Sequence, residues 1–233
     1  VTSSGNAHND SPSSSASARN GSALEALADE LGESLWALPH DVTDSDALAR
    51  AAIAIEQRWG SISHCLLNAA TYTPMPLQEF AIERFRTALE VNVMGVVHGV
   101  AAVLPIMRRR GSGQILITAS VAGYRGLPGA APYNASKAAL ISLAESLRPE
   151  LEREGICMRV INPGFVETPL TDKNDFAMPA MISPEQAARA IASRLDDTGF
   201  EIAFPRGFVW AMKLLRRLPY RLFFALTRRM VRA

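Results

Sequence analysis

Gln114-Ile115-Leu116-Ile117-Thr118-Ala119-Ser120 and, after a Gly/Pro loop, Tyr133-Asn134-Ala135-Ser136-Lys137-Ala138-Ala139-Leu140 decide how this 233-residue chain is read. The first segment is a β-branched strand pattern ending in a serine, and the second is helix-forming. Tyr133 and Lys137 stand four residues apart, so they share a helix face. A lysine ammonium ~5 Å from a phenolate attracts it by roughly 3 kcal/mol at an effective dielectric of ~20. This predicts a phenol pKa lowered by about two units from ~10. A tyrosine so tuned exchanges a proton with a substrate oxygen near neutral pH, and Ser120 donates a hydrogen bond to that oxygen.

Working outward, strand-like and helix-like segments alternate, the pattern of an α/β fold with a parallel sheet. Residues 34–41 read as a strand, 46–59 as an amphipathic helix with Ala47, Leu48, Ala51, Ile55 and Trp59 inward, and 64–70 as the next strand. A long helical region follows over 77–110. Strands are then expected at 113–120, 156–162 and 200–204, with helices at 132–154 and 184–196. Ser183 is placed to cap the last of these, with Pro184 in its first turn.

Composition agrees. With 48% hydrophobic residues the chain can bury one sizeable core, and one α/β domain is expected. A net charge of +1 sets up no general field toward nucleic acid. Cys65 and Cys157 fall in expected strands as small apolar residues. Neither they nor the scattered His8, His40, His64 and His98 have metal-ligand spacing, so no metal is implied. No secretory leader is recognised and no uncharged apolar run is read as a bilayer span, which makes the cytoplasm the expected location.

The Ser120, Tyr133 and Lys137 pattern resembles the short-chain dehydrogenase/reductase family, Rossmann-type enzymes that move hydride between NAD(P)(H) and a carbonyl or alcohol. Four further segments carry the resemblance. Leu66-Leu67-Asn68-Ala69-Ala70 is similar to the family's Asn-Ala-Gly strand end, with Ala70 in place of glycine. Asn92-Val93-Met94-Gly95 resembles the helix motif whose asparagine completes a catalytic tetrad. Asn162-Pro163-Gly164-Phe165-Val166-Glu167-Thr168 resembles the segment flanking the nicotinamide, and Asp41-Val42-Thr43-Asp44 the acidic turn near the adenine. The resemblance runs from about residue 19 to about 205. It implies a Rossmann-like, doubly wound parallel sheet in a domain of residues 1–205, followed by a basic amphipathic helical extension over 206–233.

The N-terminal strand-helix-strand unit is abbreviated. Val1-Thr2-Ser3-Ser4-Gly5 resembles only the start of the family's glycine-rich phosphate loop, and residues 6–17 are polar, serine-rich and aperiodic. Loop or disorder is expected there, and residues 1–22 are atypical. A truncated or frame-disturbed terminus, a cofactor-poor variant and an unusual phosphate loop are all open, the first being the expectation. At the end of the second strand an acid would bind the 2′-hydroxyl of NAD, whereas an arginine pairs with the 2′-phosphate of NADP. Ala18-Arg19-Asn20 supplies an arginine, so NADP(H) is preferred, with NAD(H) as the alternative; a solvated surface role for Arg19 stays open.

By the resemblance, Tyr133 is the general acid in reduction and the base in oxidation. Lys137 lowers its pKa and binds the nicotinamide ribose, Ser120 orients the carbonyl, and Asn92 holds a water linking Lys137 to solvent. The implied cofactor contacts are Arg19, Asp41, Val42, Asn68, Ala69, Ala70, Tyr133, Lys137, Pro163, Gly164, Val166 and Thr168. Each residue also has a plainer use, such as a capping serine, a helix-surface tyrosine, a solvated lysine, a locally satisfied Asn92, or an Asp41 turn that caps the next helix.

Residues 168–181 match the family's mobile substrate loop in position, and Phe176, Met178 and Met181 suggest an apolar pocket wall. The expected reaction is therefore the interconversion of a rather apolar ketone and a secondary alcohol, with a cofactor-poor binding or regulatory protein as the alternative. The tail alternates apolar residues with Lys213, Arg216, Arg217, Arg221, Arg228, Arg229 and Arg232, and Pro219 should break it into two helices. It could cover the pocket, pack on another subunit, or touch a membrane surface peripherally. A homodimer or homotetramer and a small-molecule carbonyl or alcohol substrate are the implied partners.

Overall fold

The computed structural model describes residues 2–3 and 13–231. In chain order the strands are β1 (Thr2–Ser3), β2 (Ser13–Ala18), β3 (Leu35–Pro39), β4 (Ile62–Leu67), β5 (Gly113–Thr118), β6 (Ile156–Pro163) and β7 (Glu201–Phe204). The helices are α1 (Gly21–Leu31), α2 (Ser45–Trp59), α3 (Ile82–Leu89), α4 (Gly95–Arg110), α5 (Ala131–Arg153), α6 (Pro184–Ala192), α7 (Arg206–Arg217) and α8 (Tyr220–Thr227). The expected elements are present within a few residues at each end. Pro219 does separate two helices, because it lacks the N–H that would continue the first.

The chain divides into two units. The first contains residues up to Ala69, Met94–Ile117 and Ser146–Met158, with strands in the order β3-β2-β1-β4-β5. β2 pairs parallel with β3, and β4 with β5. β1 is two residues long and antiparallel to both its neighbours, which is the abbreviated N-terminal strand. α2 and α4 pack together against β4, and Arg109 of α4 pairs with Glu56 of α2 at 2.7 Å.

Two expectations for this unit are corrected. Residues 13–17 were expected as loop but form β2, whose five-residue parallel register with β3 runs from Ser14 opposite Leu35 to Ala18 opposite Pro39. A strand can be specified by its backbone ladder and neighbours, and Ser15 is small enough to be buried there. Residues 4–12, which include the rest of that expected loop, lie outside the described residues. α1 was not anticipated at all. Asn20 caps it by accepting a hydrogen bond from the Ala23 N–H at 3.2 Å, and Leu24 turns inward.

α3, a π-turn at Glu90–Met94 and α4 form one helical run, Ile82–Arg110. By length and composition it could cross a membrane, contrary to the sequence reading, although a core helix passes the same test. α4 buries Val96, Val100, Val103, Ile106 and Met107. Gly95 and Gly99 permit close approach, since a Cβ would lie 2.7 Å from Val42 Cγ2 at the first and 2.4 Å from Leu67 Cδ2 at the second. His98 Nδ1 meets the Val42 carbonyl at 3.0 Å and ties α4 to the turn after β3.

The second unit contains Ala70–Val93, Thr118–Glu145 and everything from Arg159 onward. The Ala119 N–H, just past β5, donates to Ile161 O of β6 at 2.8 Å, and β6 pairs parallel with β7. α6 and α7 pack on β7. Arg159 is fully buried and donates to Gly199 O and Arg194 O, both at 2.6 Å, joining β6 to the turns after α6. α6 starts with the expected Ser183 cap, in a reciprocal pair with Gln186.

Candidate active site

Ile115, Leu116 and Ile117 anchor β5 in the core, and the chain leaves the strand at Thr118. Ser120 follows, nearly buried, with its Oγ accepting from the Ala122 N–H at 3.1 Å and so opening a single tight turn. That turn lies on α5: a Cβ on Gly123 would stand 2.7 Å from the Lys137 carbonyl carbon and oxygen, so only glycine permits the approach. Asn134 donates to Leu127 O at 2.7 Å and Ser136 Oγ to Tyr133 O at 2.8 Å, fixing the first turns of α5. Lys137, 1% exposed, donates to Thr118 O at 2.8 Å, and its Nζ lies 5.6 Å from the centre of the Tyr133 ring. Tyr133 and Lys137 therefore share a face as expected, with Ser120 hydrogen-bonded to the phenol.

The electrostatics differ from the expectation. Burial pushes the Tyr133 phenol up to about 12; the Ser120 hydrogen bond pulls the other way and nearby Tyr72 adds to the rise. The pKa of Lys137 is pushed down to about 7 by burial, so its ammonium is only partly populated at neutral pH. Burial is the largest influence on each group because both side chains are withdrawn from water, where the charged forms would be solvated.

Asn92 is fully buried in the π-turn between α3 and α4, a distortion frequent at functional sites. Its Oδ1 accepts from the Thr71 N–H at 2.7 Å, and its Nδ2 donates to Thr71 O and Ser136 Oγ, both at 3.0 Å. Through these bonds the Asn92 amide clamps the segment after β4 to α5. The clamp delivers Tyr72, which sequence reasoning missed. Its ring meets Tyr133 edge-on at 5.1 Å between centres. A cavity of about 170 Å³ opens beside the pair, with Thr71, Thr73, Glu83, Arg84 and Thr87 in its wall. Gly123 and Ser136 were also missed; a glycine three residues after Ser120 and a serine just before Lys137 were the available signals.

The loop over 168–181 closes on this cluster. Its ends are tied by the Val166–Ile182 bridge, and Thr171 Oγ1 donates to Val166 O at 2.8 Å. The Tyr72 hydroxyl donates to Asn174 Oδ1 and Lys173 Nζ to Tyr72 O, both at 2.8 Å. Phe176 packs on Phe165 at 6.0 Å, and Phe165 on Phe208 of α7 at 5.4 Å.

Of the expected cofactor residues, Ala70, Tyr133, Lys137, Pro163, Gly164, Val166 and Thr168 belong to the second unit. Gly164 again has no room for a side chain, because a Cβ would lie 2.8 Å from Phe208. Arg19, Asp41, Val42, Asn68 and Ala69 belong to the first unit. Asp41 accepts from the Thr43 N–H and hydroxyl, both at 2.9 Å, and these bonds hold its carboxyl below the usual range. It thus shapes the turn before α2, while Asp44 caps that helix. Arg19 is exposed and pairs loosely with Asp41 at 3.8 Å. The nicotinamide-ribose position fits its residues: the buried Lys137 Nζ donates to Thr118 O and keeps further hydrogen-bonding capacity, a match for vicinal hydroxyls.

The family model for short chain dehydrogenases matches residues 8–178. A relative from Myxococcus xanthus (strain DK1622), named only as an uncharacterized oxidoreductase, is 33% identical over 210 residues, 89% of this chain and 83% of its own length. A short-chain dehydrogenase from Streptomyces avermitilis has a similar structure, with TM-score 0.76, 25% identity and coverage of 94% of this chain and 87% of its own. A Burkholderia phymatum short-chain dehydrogenase/reductase in complex with NAD shares the fold at TM-score 0.78, 24% identity and coverage of 86% and 82%. With the family match spanning most of the sequence, the chain belongs to the short-chain dehydrogenase/reductase family of oxidoreductases.

Proposed function

We propose that the chain interconverts a rather apolar ketone and a secondary alcohol with NADP(H). The observation that carries this reading is the joint placement of Ser120, Tyr133 and a buried, sparsely bonded Lys137. The dinucleotide, when bound, supplies or accepts hydride. Lys137 is the group to hold its ribose, flanked by Pro163, Gly164, Val166 and Thr168. Ser120 and the Tyr133 hydroxyl hold the carbonyl oxygen, and Tyr133, protonated at neutral pH, gives that oxygen its proton in reduction. Asn92 is a positioning residue that holds Thr71 and Ser136. Phe165, Phe176 and the loop methionines favour an apolar substrate body, and the threonines and Arg84 of the cavity suit a polar end.

The exposed Arg19 supports NADP(H) over NAD(H). The reading also takes residues 1–205 as the Rossmann-like domain, 206–233 as an added extension, the cytoplasm as location, a homodimer or homotetramer as assembly, and the tail as a peripheral membrane contact. A second reading, a cofactor-poor binding protein, is favoured by one feature: Gly5 is the only glycine ahead of Gly21, where the family's phosphate loop has several.

NADPH fluorescence titration followed by ketone-dependent NADPH oxidation separates the two. The enzyme reading expects saturable binding and turnover, with Tyr133→Phe lowering kcat by roughly 10²–10⁴-fold, the worth of general acid catalysis, while NADPH still binds. No saturable binding, or full turnover by Tyr133→Phe, would overturn it.

A further inference from the structure

We infer that α7 and α8 form a docking surface for an anionic lipid bilayer. From Ile202 to Ala233 the sequence has seven arginines and one lysine and no acidic residue. Among the described residues, the ion pairs enlist only Lys213 from this segment, to Glu201. Val209 and Met212 of α7 and Phe223 and Thr227 of α8 face inward. The outward side is apolar as well. Trp210 is 74% and Tyr220 70% exposed, and Leu214, Leu222, Phe224 and Leu226 are exposed with them.

Trp210, Leu214 and Arg217 recur at helical spacing on one face of α7, which places an aromatic ring, an aliphatic chain and a guanidinium side by side. Large exposed apolar groups rimmed by charge mark an interaction surface. Aromatic rings settle at the headgroup level of a bilayer, aliphatic side chains reach the acyl boundary, and arginines extend back to lipid phosphates. The uniform positive charge selects the occupant. A second copy of this surface would set arginines against arginines with no acid between them, whereas anionic headgroups supply the opposite charge.

The surface also has a fixed relation to the candidate site. Phe208, at the start of α7, packs on Phe165 and against Gly164. Arg125, five residues past Ser120, donates to Arg216 O at 2.6 Å and Leu218 O at 3.1 Å and lies over the Tyr220 and Phe223 rings at 4.6 and 4.3 Å. A bilayer contact there would bring membrane-dissolved apolar carbonyl compounds to Tyr133; that use rests on the oxidoreductase reading, while the contact itself does not.

The test is sedimentation of the full chain with phosphatidylcholine vesicles, with and without phosphatidylglycerol at about one third of the lipid. Binding to the anionic vesicles should be at least about tenfold stronger and weaken with added salt. Arg217→Glu/Arg221→Glu/Arg228→Glu and, separately, Trp210→Ser/Leu214→Ser/Phe224→Ser should each lose it by about tenfold or more, with circular dichroism unchanged since these side chains are exposed. Brominated lipid should quench the wild-type fluorescence and spare Trp210→Phe. Equal binding to both vesicle types, or no loss in either triple variant, overturns the inference. So does a dimer in sedimentation velocity that the same variants dissolve, which would make the surface a subunit contact. Vesicle binding without any NADPH turnover would sink the catalytic reading and leave the lipid contact standing.

Discussion

Tyr133 and Lys137 are each moved by burial toward their neutral forms, and the two shifts give folding a particular pH dependence. Lys137 titrates near 10.5 in the unfolded chain and at about 7 in the fold. Between those values the unfolded chain binds more protons, so stability rises with pH from about 7 to about 10 and is lost again as pH falls through 7. Tyr133, raised from 10 to about 12, acts in the opposite sense, and its contribution declines as pH rises above 10. Lys137→Met should abolish the rise between 7 and 10 and stabilise the fold at neutral pH by on the order of a few kcal/mol, while removing activity. Urea denaturation across that range is the measurement, and an unchanged slope in the variant would show that Lys137 is not desolvated. The shared face of the two residues was legible in the sequence because it follows from helix periodicity alone. The sign of the tyrosine shift was not, because desolvation depends on chain segments far away in sequence.

The loop over 168–181 is fastened to Tyr72, the neighbour of Tyr133, by a side-chain hydrogen bond from Tyr72 to Asn174 and a lysine contact to the Tyr72 carbonyl. Tyr72→Phe keeps the ring against Tyr133 and removes only the first. The variant should raise KM about fivefold, one hydrogen bond's ~1 kcal/mol, with little change in kcat, and hydrogen exchange in the loop should quicken. A fall in kcat without a change in KM would instead make the Tyr72 hydroxyl part of the chemistry. Position and composition revealed the loop, but its fastening joins residues about a hundred positions apart and has no sequence signature. β2 shows the reverse case. Its serines have no strand periodicity, yet pairing with β3 makes them a strand, whereas the Asn20 cap of α1 is a local signal of a helix start.

Across the whole molecule, Arg125 joins the turn after Ser120 to the α7–α8 corner through two carbonyls and two rings. Arg125→Ala should cost roughly 1–3 kcal/mol and speed tryptic cleavage at Arg216 and Arg217, read by denaturant midpoint and limited proteolysis; unchanged cleavage would mean that α7 and α8 are held by their buried faces alone. By itself the sequence determined the alternation of strands and helices, the break at Pro219 and the shared face of Tyr133 and Lys137, because periodicity and backbone chemistry act over a few residues. Only the tertiary structure decided that Asn92 clamps Thr71, that Gly123 lies against Lys137, and that Tyr133 and Lys137 are desolvated. Those outcomes depend on which distant segments exclude water from one another, and local pattern carries no record of that.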